Sequence, residues 1–390
     1  MIAIVTVLII FAALVIFIQA QRLHKLSKKY NLLEKAVNRA GAGITISDPN
    51  QADNPLIYVS DGFYHMTGYQ TSEVLARNCR FLQGTETDQE TVTKIRQAIS
   101  SGQSVQVELL NYRKDGTPFW NELSINPIYE HNRLRYFVGI QKDVTIRRKL
   151  QLELEKDLLI AKNIQKSLLS ATIDNETVRI EGYLQPSSQL AGDMYMWYQL
   201  DHNRYALLLI DVMGHGVASA MIANSIHILA RRYMLKDTPP AKIIQLLNEF
   251  MFTLFNNQSD QLYFFTAIYL VIDTENNLID YVNAGHLPIL HQTATGQILH
   301  LDSNSTPVGI LPNGTFSAGK IDFNKGDRLL LFTDGFIEES KQEYQDILKS
   351  VKTSLSEYSG SPPIFNYLLN KHADILNHDD DITLVNIERK

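Results

Sequence analysis

Residues 76–88 read ARNCRFLQGTETD and contain the single cysteine of a 390-residue chain, Cys79, set between an asparagine and an arginine. One thiol cannot close an internal disulfide, so the covalent framework of small secreted domains is excluded and a reducing compartment is expected for most of the chain. A lone cysteine reads first as a small packed hydrophobe, and its neighbours must decide whether it is a reagent. Composition narrows the rest. A hydrophobic fraction of 45% with 20% charged residues is that of a globular chain, and the length suggests two or three domains. The net charge of -6 lacks the basic excess that neutralises phosphates, so no nucleic-acid partner is expected.

Outward from Cys79, short β-rich runs recur: ITIS, LIYVS, VQVELLNY, WNELSINPIYE and YFVGIQKDV, with helical stretches between them. They predict a small α+β domain with an antiparallel sheet over 41–145. A helical stretch follows, in which Leu150, Leu154, Ala161, Ile164 and Leu168 fit the a and d positions of a heptad. Arg147 and Asp157 interrupt that seam, and Leu158 lies beside it. A coiled-coil linker of a homodimer is expected over 146–177. Apolar strands such as YALLLIDV, FFTAIYLVID, RLLLFTDG and ITLVNI, with helices at 218–235 and 240–256, then predict a larger domain over 178–390. At the other end, Ile2 to Ile18 carries no charge and covers roughly 26 Å as a helix, close to a bilayer core. Residues 1–20 therefore read as a transmembrane helix rather than a cleaved signal, because no basic residue precedes the run and no small-x-small site follows. Arg22, Lys25, Lys28 and Lys29 then place everything after it in the cytoplasm, at the plasma membrane. Residues 21–40 read as a signalling helix.

In order and segment by segment, ARNCRFLQGTETD, TVTKIRQAI, NYRKDGTPFWNELSI and FVGIQKDVT resemble the LOV domains, flavin-binding blue-light photoreceptors of the PAS superfamily. Ala76 stands where the plant-type pattern has glycine. The resemblance implies FMN held without a covalent bond in the dark, and after blue light a bond between the Cys79 sulfur and a flavin ring carbon. Asn78 belongs to the same motif. Arg80 and Arg96 would grip the ribityl phosphate, because a guanidinium fork makes bidentate charge-assisted bonds. Gln83, Asn111, Asn121 and Gln141 carry both donors and acceptors, which suits the mixed edge of the ring, while Leu123, Phe137 and Gly139 would line the apolar part. Gln141 could answer protonation of the flavin by rotating its amide.

In the larger domain, carboxylates recur at strand ends: Asp193 in LAGDMY, Asp211 in LLIDVMGHG, Asp334 in LLFTDGFIEE and Asp379 to Asp381 in HDDDITLV. One Asp beside Gly is a turn residue; several apolar strands each running into Asp ask for cations between them, and hard oxygen ligands favour Mg²⁺ or Mn²⁺. These motifs, with AKNIQKSLL and YVNAGHLPIL, resemble the PPM-type serine/threonine phosphatases, most closely the SpoIIE-like branch. The fold implied is a PPM phosphatase β-sandwich flanked by helices, an α/β arrangement. The resemblance implies two metal ions held by Asp193, Asp211, the Val212 carbonyl, Asp334 and Asp380, with Asp381 the alternative to Asp380. It also implies a phosphorylated protein substrate, of the anti-anti-sigma STAS type. His215 and His286, in GHG and AGH, read either as proton donors or as turn histidines. The whole chain reads as a membrane-anchored, light-regulated phosphatase. Its rivals are a photosensory scaffold that binds partners without turnover and a flavin redox sensor; Cys79 in its motif disfavours the latter.

Overall fold

The computed structural model describes residues 17–29, 32, 35, 41–255, 262–336, 344–358, 360, 362–372 and 379–390. The chain divides into two compact units, Met1–Leu154 and Glu155–Lys390.

The first unit is built on one antiparallel sheet in the order β2-β1-β5-β4-β3. Its strands are β1 (Gly43–Ser47), β2 (Leu56–Val59), β3 (Val105–Tyr112), β4 (Pro118–Glu130) and β5 (Arg133–Asp143). Between β2 and β3 the chain leaves the sheet for short helices and the helix Gln89–Ser101. The signals that bound this helix are local. Asp88 accepts hydrogen bonds from the Glu90 and Thr91 N–H groups at its start, and Gly102, at φ 66°, ends it in the left-handed region. Cys79 opens a single 3₁₀ turn, Cys79–Leu82, whose first N–H groups are capped by Asn78: its Oδ1 accepts from Arg80 N at 3.0 Å.

The second unit is a sandwich of two antiparallel sheets covered by helices on both outer faces. The strands that position the site are β7 (Val178–Gln185), β8 (Met194–Gln199), β9 (Arg204–Val212), β10 (Phe265–Asp273), β15 (Arg328–Phe332) and β16 (Ile382–Arg389). With β6 (Ile173–Asp174), β11 (Leu278–Ala284), β12 (Ile289–Gln292), β13 (Ile298–Leu301) and β14 (Gly319–Asp322) added to these, one sheet has the order β14-β11-β10-β9-β8 and the other β13-β12-β15-β16-β7-β6. Successive side chains on a strand point to opposite faces, and here both faces are buried. On β9, Leu207 and Leu209 enter the core between the sheets, whereas Leu208 and Ile210 pack under the helices Val217–Met234 and Pro240–Phe255. On β16, Val385 and Ile387 face the inter-sheet core, and Ile382 and Leu384 face the opposite helical layer. Each fully buried aliphatic side chain contributes about 1.5–3 kcal/mol, so these doubly covered strands form a rigid frame.

A helix of 24 residues, Thr145–Leu168, runs across the boundary between the units. The linker expected over 146–177 is shorter than that, because β6 (Ile173–Asp174) already pairs with β7 and belongs to the sandwich. Leu150, Leu154 and Ile164 of the expected seam are exposed in the single chain, while Gln165 is the buried residue of this helix. Most of the span expected at 2–18 lies outside the described residues. Residues 17–29 are helical, and among the described residues no helix is long and apolar enough to cross a membrane.

Candidate functional site

In the first unit the sheet and the helix Gln89–Ser101 enclose a cavity of about 260 Å³. Its sheet wall is written with period two: Leu109 and Asn111 on β3, Asn121, Leu123 and Ile125 on β4, Phe137, Gly139 and Gln141 on β5. All eleven residues named from the sequence line it, including Asn78, Cys79, Arg80, Gln83 and Arg96 from the helical side. The sequence reading missed Thr45 and Ser47 of β1, which join this wall because Thr45 pairs with Gly139 and Ser47 with Phe137. It also missed Asn54, whose signal is a left-handed backbone at φ 49° just before Pro55.

The amides form a chain. Asn121 Nδ2 donates to Asn111 Oδ1 and to Gln141 Oε1, both at 2.9 Å, and Gln141 Nε2 points at Cys79 Sγ at 3.6 Å. Burial pushes the Cys79 thiol up to about 11, with the Gln141 contact pulling slightly the other way, so the sulfur stays a neutral S–H. Among the described residues the buried oxygens Asn121 Oδ1 and Asn54 Oδ1 have no hydrogen-bond partner, and both residues line the cavity. Two orphan acceptors beside apolar walls fit a ligand with one ring N–H and a hydroxylated side chain, as FMN has. Arg80 and Arg96 are exposed where they line the cavity, and Arg80 pairs with Asp53 at 2.7 Å.

In the second unit antiparallel pairing gathers the carboxylates. Asp193 precedes β8 and Asp211 is the penultimate residue of β9, so pairing of these two strands brings them to one end of their sheet. Asp334 follows β15, and Asp380 and Asp381 precede β16, at one end of the other sheet. Asp193 Oδ2 accepts from Thr333 Oγ1 at 2.7 Å and Thr383 Oγ1 at 2.6 Å, which ties the two sheets together at this end. Thr266 Oγ1 donates to Asp211 Oδ2 at 3.4 Å. Burial, then the neighbouring Asp211 charge, hold Asp193 well above the usual carboxylate range; burial, then Asp334 and Asp380, raise Asp211 in the same way. Burial and Asp381 raise Asp380, which His215 partly offsets. This mutual repulsion is what divalent cations would cancel, so the donor chemistry fits such ions, with the Val212 carbonyl at the end of β9 beside it. Among the described residues no three His, Cys, Asp or Glu side chains stand close enough to enclose an ion as they are.

The two histidines separate. His286 is buried, its Nδ1 lies 3.4 Å from the Leu287 carbonyl oxygen, and burial lowers it to about 4, which makes it a core histidine of its turn. His215 is exposed, in the loop after β9. Asp381 is not an open ligand: its carboxylate takes the Ser187 N–H, the Ser187 hydroxyl and the Gly192 N–H at 2.8, 3.0 and 2.6 Å. Sequence reasoning missed Gln165, whose amide grips the backbone of Ala191, donating to its oxygen at 2.7 Å and accepting from its N–H at 3.0 Å. No signal in a polar helix position foretells such a contact.

Comparison with known proteins agrees with this division. Residues 41–145 match the PAS domain family, and residues 201–390 match the family of Stage II sporulation protein E (SpoIIE), a match that leaves Asp193 just outside. A phosphoserine phosphatase, RsbP of Bacillus subtilis, is 38% identical over 203 residues, covering 52% of this chain and 50% of its own. A blue-light photoreceptor of Listeria monocytogenes is 41% identical over 186 residues, covering 48% of this chain and 74% of its own. The chain thus spans half the length of the first relative and about three quarters of the second. The crystal structure of RsbU and RsbW domains from Mycobacterium tuberculosis shares the fold at 20% identity and a TM-score of 0.50, over 57% of this chain and 63% of that one. The sensor unit is a LOV-type PAS domain and the second unit a SpoIIE-type phosphatase domain. The chain belongs to the LOV blue-light photoreceptor family.

Proposed function

We propose that this chain is a blue-light-regulated protein serine/threonine phosphatase. The observation that carries the reading is that one chain holds both a thiol-and-amide cavity and a crowd of strand-end carboxylates, joined by a single helix.

In the sensor, FMN supplies blue-light absorption and an electrophilic ring carbon. Cys79 holds a neutral thiol for it, and Gln141, bonded to both Cys79 and Asn121, is placed to feel any change of proton on the ring. Arg80 and Arg96 take the phosphate. In the phosphatase, Asp193, Asp211, the Val212 carbonyl, Asp334 and Asp380 would hold two divalent cations, Mn²⁺ or Mg²⁺, which supply Lewis acidity toward a phosphoryl group and water. Thr333 and Thr383 orient Asp193, and exposed His215 beside Asp380 is the proton donor available to a leaving serine or threonine oxygen. That the Bacillus subtilis relative is a phosphoserine phosphatase supports phosphoserine as the target. An anti-anti-sigma protein of the STAS type is the substrate class.

Light reaches the second unit through the helix Thr145–Leu168. Its first turn is tied to the Gln141 strand region, since Asp143 Oδ1 accepts the Thr145 N–H at 2.9 Å and Arg148 stacks 3.6 Å over Trp120. Its last turns end in the Gln165 grip on Ala191, two residues before Asp193. The exposed Leu150, Leu154 and Ile164 suit pairing with a second copy, and residues 2–18 anchor the dimer at the plasma membrane with both units in the cytoplasm. The test is hydrolysis of a phosphoserine STAS-type protein by the full chain with Mn²⁺, in the dark and under blue light. Metal-dependent turnover that changes with light is expected. Light-dependent binding without turnover would replace this reading by the scaffold.

A further inference from the structure

Two adjacent carboxylates, Asp380 and Asp381, stand before β16, and their surroundings differ. Asp381 is 3% exposed, and its oxygens are occupied in pairs. Oδ1 accepts from Ser187 N at 2.8 Å and Ser187 Oγ at 3.0 Å; Oδ2 accepts from Gly192 N at 2.6 Å and, at the longer distance of 3.5 Å, faces Asp193 N. A carboxylate offers about four lone-pair sites, so this one has none left to offer a cation. Asp380, by contrast, accepts through Oδ1 from the Asp381 N–H at 2.8 Å and has no other hydrogen-bond donor among the described residues.

We propose that Asp381 is a positioning residue: its buried carboxylate holds the Ala191–Gly192–Asp193 turn in place so that the Asp193 carboxylate, and not Asp381 itself, faces the cations. The assignment rests on the phosphatase reading and deepens it. Three features make the turn dependent on this one side chain. The Gly192 and Asp193 N–H groups lie just before β8 and outside its ladder with β9. Gly192 packs so closely that an added Cβ would stand 3.0 Å from the carbonyl oxygens of Gly214 and Val212, so the turn has no room to relax toward that wall. Gly335 fixes the other side: a Cβ there would lie 2.2 Å from the Asp381 carbonyl oxygen, which places the Asp334 turn directly against the Asp381 backbone. Displacing Asp381 therefore disturbs the backbone of two expected ligands, Asp193 and Asp334, without removing either. The adjacent carboxylates divide the work, one outward to the ions and one inward to the backbone. Groups that support metal ligands in this way typically cost about 10–100-fold in metal affinity when lost.

The experiment records Tm in EDTA for each variant and, at a temperature below all of these, titrates Mn²⁺ alone into the full chain, reading affinity and stoichiometry. Asp381→Asn replaces an acceptor oxygen by an NH₂ that opposes backbone N–H donors. It should keep the wild-type number of ions, bind them about tenfold or more weakly, and lower the metal-free Tm. Asp380→Asn should lose an ion from the stoichiometry while its metal-free Tm stays level or rises, because one of several crowded charges is gone. A lowered Tm with unchanged Mn²⁺ affinity in Asp381→Asn would make its role purely structural and overturn the assignment. Loss of an ion with a raised Tm would overturn it too, by making Asp381 a ligand. If Asp381→Asn does not fold, Ser187→Ala, which removes one donor and leaves the carboxylate, should weaken Mn²⁺ binding several-fold at nearly unchanged Tm; wild-type affinity there would count against the proposal. Absence of Mn²⁺ binding by the wild type overturns the phosphatase reading itself, and is told apart because all variants then bind alike.

Discussion

The sensor cavity and the carboxylate end of the sandwich are both polar sites in buried surroundings, and they handle polarity in opposite ways. The inner wall of the cavity carries neutral amides and a thiol bonded in a chain, Asn111 with Asn121, Asn121 with Gln141, Gln141 with Cys79. The carboxylate end collects like charges whose protonation is driven upward by burial and by each other. A site for an organic ring can be assembled in advance, because amides serve as donor or acceptor as needed. A site for cations cannot, because its ligands repel until the ions arrive.

The largest test of that contrast removes a charge from the crowd. Asp211→Asn or Asp334→Asn should cut Mn²⁺-supported phosphatase activity by more than about a hundredfold, beyond the usual loss for a mere supporting group, while flavin bleaching persists. Near-normal turnover in both variants would dissolve the contrast. On the neutral side, Cys79→Ala leaves the amides and arginines untouched. FMN should remain bound, and the reversible bleaching of its blue-light absorbance should disappear; formation of the same product by the variant would show the sulfur to be a spectator. A third test asks whether the two regions communicate through the helix. One residue inserted near Glu155 turns everything downstream by about 100° and should abolish or invert the light response, whereas seven nearly restore the face and should preserve it. Equal responses in wild type and both insertions would remove the helix from the path.

The smallest effect concerns acid. In the unfolded chain the His286 ring takes up a proton near pH 6.5, in the folded protein only near pH 4. Its contribution is therefore complete above pH 6.5 and is lost as the pH falls from there to 4, by about 3 kcal/mol at most. Urea unfolding of the second unit between these values should show the loss, and His286→Gln should flatten it.

The sensor site was legible because its wall alternates along three strands, and each strand displays the pattern within its own few residues. Thr45 and Ser47 escaped because their place depends on β1 pairing with a strand about ninety positions away, which no local pattern encodes. The four strand-end aspartates were legible for the same local reason. The choice of Asp380 over Asp381 came from the family motif, whereas the bonding of Asp381 to the backbone N–H groups of residues 187 and 192, far away in the chain, was not legible. Gln165 and the exposed Leu150 and Leu154 show the limit of periodicity: it marks which helix face is apolar and leaves open what that face meets.

The boundary between the two compact units falls at residue 154, inside an unbroken helix rather than in a loop. Anyone exchanging the sensor for another input module inherits a phase constraint: the foreign helix must be spliced upstream of Gln165 with the right number of residues. A graft of correct sequence and wrong length would leave Gln165 bonded to Ala191 within its own unit and put the borrowed sensor out of helical phase with it. Tolerance to such chimaeras should therefore repeat with the helical turn, making splice length, more than the chemistry of the borrowed sensor, the variable to screen.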